Sequence, residues 1–267
     1  MLIRMIRRVA YVGVLILSVS VAQAENSSPA DADTAWNNGL KEALFREVPI
    51  SSDESVIRLE APSRAENPAL LPLRIQAGFA QSESRFIKKI SVVIDRNPAP
   101  LAGVFEFTEQ SGQADLELRV RLDQYSMVRA VAELNDGSLV MASRYVKGSG
   151  GCSAPAAADL EEARKRMGLM KLNSHREDNG LVTSMLRISH PNISGLQRNQ
   201  QTHLFIPAHY VQKLEVRQGD ALLMTANLGI AISENPSFVF NHQPSDEPIT
   251  VTVVDSEGME FSYPKSQ

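Results

Sequence analysis

Between residues 55 and 146 the apolar side chains recur at every second position in short runs, and a chain with that period must build sheets buried on one face. Ile57-Arg58-Leu59 and Leu73-Arg74-Ile75 are such runs, as are residues 91–94 and 104–107. Leu116-Glu117-Leu118-Arg119-Val120-Arg121-Leu122 alternates as a half-buried strand should. Residues 128–134 and 139–146 follow, joined by Asn135-Asp136-Gly137, a tight hairpin signal. Short strands with turn residues between them predict an antiparallel sandwich of immunoglobulin type. Its usual disulfide is absent, so packing alone must hold the core. A second strand-rich block covers residues 181–263, with candidate strands at 181–189, 211–216, 222–225, 238–240, 249–254 and 260–263. Gln218-Gly219-Asp220 and Ser256-Glu257-Gly258 supply its hairpin turns. The fold class expected is therefore all-β: two immunoglobulin-like antiparallel β-sandwiches in tandem. One short amphipathic helix precedes them at residues 34–48, where Ala35, Trp36, Leu40, Ala43, Leu44 and Val48 recur at helical spacing and Trp36 reads as a core anchor.

Residues 148–158 break the alternation. Gly148-Ser149-Gly150-Gly151-Cys152-Ser153-Ala154-Pro155 and the alanines after it hold no large apolar side chain, and they read as a flexible linker. Residues 159–166 are expected to form a short charged helix with Asp159, Glu161 and Glu162 near its start. Cys152 is the only cysteine of the chain. A lone cysteine is often a small buried hydrophobe. Here its neighbours offer nothing to a core, and glycine runs lie at surfaces, which predicts an exposed, chemically used thiol. Five residues from Gly148 to Cys152 would reach on the order of 15–18 Å. A free thiol ionises near about pH 8.5, and Lys147 is the nearest cation in sequence.

The amino terminus reads as an export signal. Arg4, Arg7 and Arg8 precede an apolar run at residues 10–21, and Ala22-Gln23-Ala24 gives the small-x-small cleavage pattern. Residues 1–24 are thus expected to be a signal peptide, through the general secretory route ahead of the twin-arginine one, which places the protein in a bacterial periplasm. One unpaired cysteine in an exported chain implies intermolecular bonding or a reactive thiol. Removing the three arginines makes a chain whose net charge is already −4 still more acidic. That disfavours nucleic acid, which demands clustered positive charge, and no second long apolar run suggests a membrane span.

His190, His203, His209 and His242 lack the short spacings of a metal site, so they read as surface or hydrogen-bonded residues. No metal, cofactor or catalytic constellation is expected, and the protein is not read as an enzyme.

Val146-Lys147-Gly148-Ser149-Gly150-Gly151-Cys152 resembles the Gly-Gly-Cys arm of the Y subunit of the sulfur-oxidation (Sox) carrier. Phe86-Ile87-Lys88-Lys89-Ile90, Arg96-Asn97-Pro98-Ala99-Pro100 and Ala132-Glu133-Leu134-Asn135-Asp136-Gly137-Ser138 continue that likeness. Ile188-Ser189-His190-Pro191 with Gly195, Ile206-Pro207, Ser233-Glu234-Asn235-Pro236-Ser237-Phe238 and Asp255-Ser256-Glu257-Gly258 resemble the Z subunit. The order, Y then Z, is similar to the fused SoxYZ-like carriers associated with quinoprotein dehydrogenases of methylotrophic bacteria.

The resemblance implies that Cys152 holds sulfur intermediates covalently while separate enzymes process them, with Gly148, Gly150 and Gly151 as the hinge of its arm. It implies a Y-like sandwich at 25–147, an arm and linker at 148–166 and a Z-like sandwich at 167–267, the two pairing within the chain. Partners would be Sox-type periplasmic enzymes and cytochromes, or a quinoprotein dehydrogenase system. Two departures from the family pattern stand out. Ser153 replaces a glycine, and the chain continues beyond the arm, tethering it at both ends. Two other readings remain open: a non-covalent accessory module for a quinoprotein dehydrogenase, and a redox sensor that dimerises through Cys152.

Overall fold

A computed structural model describes residues 33–155 and 160–264. The expected signal peptide, Asp159 and the alanines at 156–158 lie outside the described residues.

The amino-terminal helix is shorter and more bent than its apolar spacing predicts. A π-type turn at Trp36–Leu40 leads into α1 (Lys41–Phe45), with a kink where Gly39 takes φ 133°. Trp36 is buried and anchors the segment through the Arg129 guanidinium, 4.4 Å above the indole, and through Val93, Val131 and Leu139. Arg129 is itself held by Asp95 at 2.7 Å and by Asp33.

The first half then forms β1 (Ile50–Ser51), β2 (Ile57–Glu60), β3 (Leu71–Ala77), β4 (Ile87–Ile94), β5 (Leu101–Phe107), β6 (Leu116–Val120), β7 (Ser126–Leu134) and β8 (Leu139–Val146). The second half begins with α2 (Leu160–Lys165) and continues with β9 (Met170–Arg176), β10 (Val182–Ile188), β11 (Val211–Gln218), β12 (Ala221–Leu228), β13 (Ser237–His242), β14 (Ile249–Asp255) and β15 (Glu260–Tyr263). Alternation explains the layers. The inward residues of β3 (Leu71, Leu73, Ile75, Ala77) are buried, while Pro72 and Arg74 between them face solvent. The three hairpin turns stand where expected, each with a glycine at positive φ: Gly137, Gly219 and Gly258.

Each sheet runs through both halves. One has the order β1-β8-β7-β4-β5-β12-β11-β14-β15, the other β2-β3-β6-β13-β10-β9. The joins are β5 against β12, from Gly103↔Leu228 to Phe107↔Met224, and β6 against β13 at Leu116↔Phe240 and Glu117↔Val239. A single apolar cluster fills the space between the sheets, and Phe105 meets Phe238 edge to face with ring centroids 5.8 Å apart. Each such side chain, fully buried, contributes roughly 1.5–3 kcal/mol. The architecture is two sandwiches joined edge to edge, all-β as expected. No described helix is long and apolar enough to cross a membrane.

Candidate functional site: a docked cysteine arm

The arm leaves β8 at Val146 and is pinned at once. The Lys147 amide donates to Ser63 at 3.0 Å, and its carbonyl accepts from Ala65 at 2.8 Å. The chain then lies along the strand end at Leu122-Asp123. Gly150 N–H donates to the Asp123 carbonyl and Gly151 N–H to the Leu122 carbonyl, both at 2.9 Å. Gly150 has φ 78°, a region that L side chains rarely adopt. At Gly151 a Cβ would sit 2.1 Å from the Pro68 carbonyl oxygen and 2.7 Å from that of Leu122, so only glycine allows this close backbone approach.

These contacts correct the expectation of an exposed thiol on slack chain. Cys152 is 1 % exposed, and Gly148 and Gly151 are buried beside it. The physical reason is that glycine serves two ends, mobility and tight backbone packing, and here the described residues 148–155 use the second. Gly148, Gly150 and Gly151 are docking points in this conformation rather than free joints.

The second half closes over the arm. Ser194 Oγ donates to the Cys152 carbonyl at 2.5 Å, and Gln197 Nε2 donates to the Ala154 carbonyl at 2.8 Å. Arg121 lies beneath, 1 % exposed, at the point where the alternation of 116–122 breaks. Its Nη1 donates to the Gly151 carbonyl at 3.2 Å and its Nη2 to the Asn192 carbonyl at 3.1 Å, while its Nε is buried without a partner. The cysteine therefore sits at the junction of the two halves, between a cation from the first and a polar loop from the second.

Burial pushes the Cys152 thiol up to about 12, the Asp123 carboxylate adds to this, and the Arg121 guanidinium opposes it. Burial likewise lowers Arg121 from its ordinary value. In the docked state burial thus favours the neutral thiol over the thiolate, which is the better nucleophile.

The loop that covers the arm is braced from behind. Asn192, in the left-handed region at φ 42°, accepts from Val211 N–H on Oδ1 at 3.0 Å, and its own N–H donates to His190 Nδ1 at 3.1 Å. His190, His209 and Asp255 converge, and both histidines are hydrogen-bonded, as read from the sequence, but buried together. His209 Nε2 lies 2.8 Å from Asp255 Oδ2 and His190 Nε2 3.6 Å from it, and the two rings meet edge to face. Burial opposes ionisation of Asp255, but the His209 ring N–H and the Met259 and Glu257 amides outweigh it and hold the carboxyl below the usual range. Burial pushes His190 down to about 4, the neighbouring His209 adds to this, and Asp255 opposes it. With Nδ1 accepting from Asn192, the neutral His190 ring carries its proton on Nε2. The cluster is thus arranged as a carboxylate facing two ring N–H groups, not as three open lone pairs for a cation.

Cys152 and its glycines stand out in the sequence, whereas the roles of Arg121, Asn192, Ser194 and the His190–His209–Asp255 cluster do not. The one available signal for Arg121 was a charged residue continuing past the end of a strand of buried aliphatics. For the histidines no local spacing betrays a convergence made by the loop after β10, the segment leading into β11 and the end of β14. His203 is exposed, and His242 stands apart, bonded to Ser184 at 2.9 Å.

Comparison with known proteins agrees with this layout. The family model for the sulfur oxidation protein SoxY matches residues 41–152, and that for the sulphur oxidation protein SoxZ matches residues 170–265. Among curated proteins nothing matches. Among solved structures, the sulfur carrier protein SoxY from Chlorobium limicola f thiosulfatophilum aligns at 24 % identity, covering 45 % of this chain and 96 % of that one, with a TM-score of 0.36. A superoxide reductase (neelaredoxin) from Ignicoccus hospitalis aligns at 18 % identity, covering 34 % of this chain and 79 % of that one, with a TM-score of 0.32. Both are loose likenesses over less than half of the chain. The two family matches lie in tandem, Y before Z, with Cys152 the last residue of the first. The chain belongs to the sulfur-oxidation carrier families, as a fused SoxYZ-like protein.

Proposed function

We propose that the protein is a periplasmic sulfur carrier in which Cys152 holds a sulfur-containing group as a mixed disulfide, thiosulfonate or persulfide and presents it to partner enzymes. The observation that carries this reading is that the SoxY match ends on Cys152, the only thiol of the chain. The chain performs no chemistry of its own. Sox-type enzymes and cytochromes, or a quinoprotein dehydrogenase system, load and unload it after export on the signal at residues 1–24. Pairing of the Y-like and Z-like parts within one chain is supported by the β5–β12 and β6–β13 joins, and the docked arm is the resting state. Intact-mass and peptide-mass spectra of protein taken from the native periplasm test the reading. A sulfur adduct on Cys152 is expected, and its absence under every growth condition would overturn the proposal.

The burial of Cys152 favours a second reading, a non-covalent accessory module for a quinoprotein dehydrogenase. Replacement C152S separates the two. Full cellular function in that variant supports the module, and complete loss supports the carrier.

A further inference from the structure

Arg121 is a buried cation with an unusual set of partners. Two of its nitrogens serve carbonyl groups, one on the arm and one on the covering loop, and Nε has no partner. Among the described residues no carboxylate lies within ion-pair distance of it, and its electrostatic partner, Glu234, acts on it from farther away. A buried guanidinium whose counter-charge is held at a distance and whose Nε–H has no acceptor is costly, and an unsatisfied buried donor of this kind points to a role or to an ion that completes it. The arm can bring an anion into direct contact, because whatever Cys152 carries is delivered next to Gly151, whose carbonyl Arg121 already holds.

We infer that Arg121 is an anion-binding residue for the cargo, selecting adducts of Cys152 that end in a negatively charged sulfur or sulfonate when the loaded arm returns to its seat. This rests on the carrier reading and adds the residue that recognises the charge of the cargo. The charge belongs beyond Sγ. Burial and the Asp123 carboxylate keep it off the bare sulfur, whereas an extension of one or two sulfur atoms moves it outward, where an oxyanion or persulfide anion can accept a hydrogen bond from the unpartnered Nε–H of the planar guanidinium. Neutral adducts gain nothing from that group.

The test uses full-length protein loaded chemically, so it stands apart from whether the native protein is found loaded. Tetrathionate gives the anionic form: the Cys152 thiolate attacks a central sulfur, the central S–S bond breaks, thiosulfate leaves with the electron pair, and Cys152 keeps an –S–S–SO3⁻ group. Methyl methanethiosulfonate gives the neutral form, Cys152–S–S–CH3, with methanesulfinate leaving. Release of each adduct by dithiothreitol is followed by intact mass in wild type, R121Q and R121K. The expected result is that R121Q speeds release of the anionic adduct by about tenfold or more relative to the neutral one, the range of a charge-assisted hydrogen bond. R121K should fall between. Equal effects on both adducts would overturn the inference and leave Arg121 as a structural latch. If R121Q does not fold, wild type decides alone: the –S–S–SO3⁻ protein should melt higher than the –S–S–CH3 protein, and a lower melting temperature sinks the inference.

Discussion

Two residues set the chemical character of the docked state, Cys152 and His190, and both are held neutral by burial. For His190 the consequence for stability can be worked out. Its folded value, about 4, lies below the 6.5 of a free imidazole, so folding favours the neutral ring. Stability from this residue is complete above pH 6.5. It falls as pH drops from there toward 4, because the unfolded chain takes up the proton first. A separation of that size corresponds to on the order of 3 kcal/mol. Urea unfolding of wild type against H190Q between pH 7 and 4 isolates this share from the carboxylates, two of which, the buried Asp95 and the half-buried Asp115, are pushed upward by desolvation. Wild type should lose more stability than H190Q on acidification, and parallel curves would refute the assignment.

The arm shows how one composition supports opposite structures. In G151A, the new methyl must displace the Pro68 and Leu122 carbonyls, which are backbone atoms and cannot swing aside. The expected outcome is an arm driven from its seat, with Cys152 alkylated at least about tenfold faster than in wild type, a loss of docking of about 1.4 kcal/mol or more. In G150A nothing lies within 4 Å of the added Cβ; its cost is confined to the positive φ, about 1 kcal/mol. Unchanged alkylation in G151A would mean that the backbone contact does not hold the arm. Most of the elements around it were legible in the chain. Strands such as β3, β6 and β14 show themselves through inward aliphatics and outward polar residues. β9 was missed because it faces solvent along most of its length, with only Met170 and Leu172 packed on the core, and an edge strand of that kind leaves no alternation to read. The docking of the arm was not legible either. It depends on carbonyls of Pro68 and Leu122 and on side chains of the 190–197 loop, all distant in sequence, and a glycine-rich stretch looks the same whether it is loose or pressed flat.

At the scale of the whole molecule the two halves share both sheets and one apolar core, so the fused chain is expected to behave as one cooperative unit. Calorimetry should give a single transition. A protease site placed between Pro155 and Leu160 and cut in the folded state should leave the halves eluting together, because β5–β12 and β6–β13 pair without the connection. Two separate melting transitions, or fragments that part on sizing, would contradict the shared core. This continuity also gives the carrier its resting place, since the seat of Cys152 is built from Leu122 and Arg121 of one half and Ser194 and Gln197 of the other.

That a sheltered thiol is also a deliverable one is what alkylation by iodoacetamide tests most directly, timed against denatured protein and against global unfolding. A thiol held near 12 has far less thiolate at neutral pH than a free one at about 8.5, so folded Cys152 should react about 1000-fold or more slowly than in urea. It should still react faster than the protein unfolds, at a rate that levels off with reagent as release of the arm becomes limiting. Labelling as fast as in denatured protein would mean the arm is not docked, and labelling only at the unfolding rate would mean it never leaves.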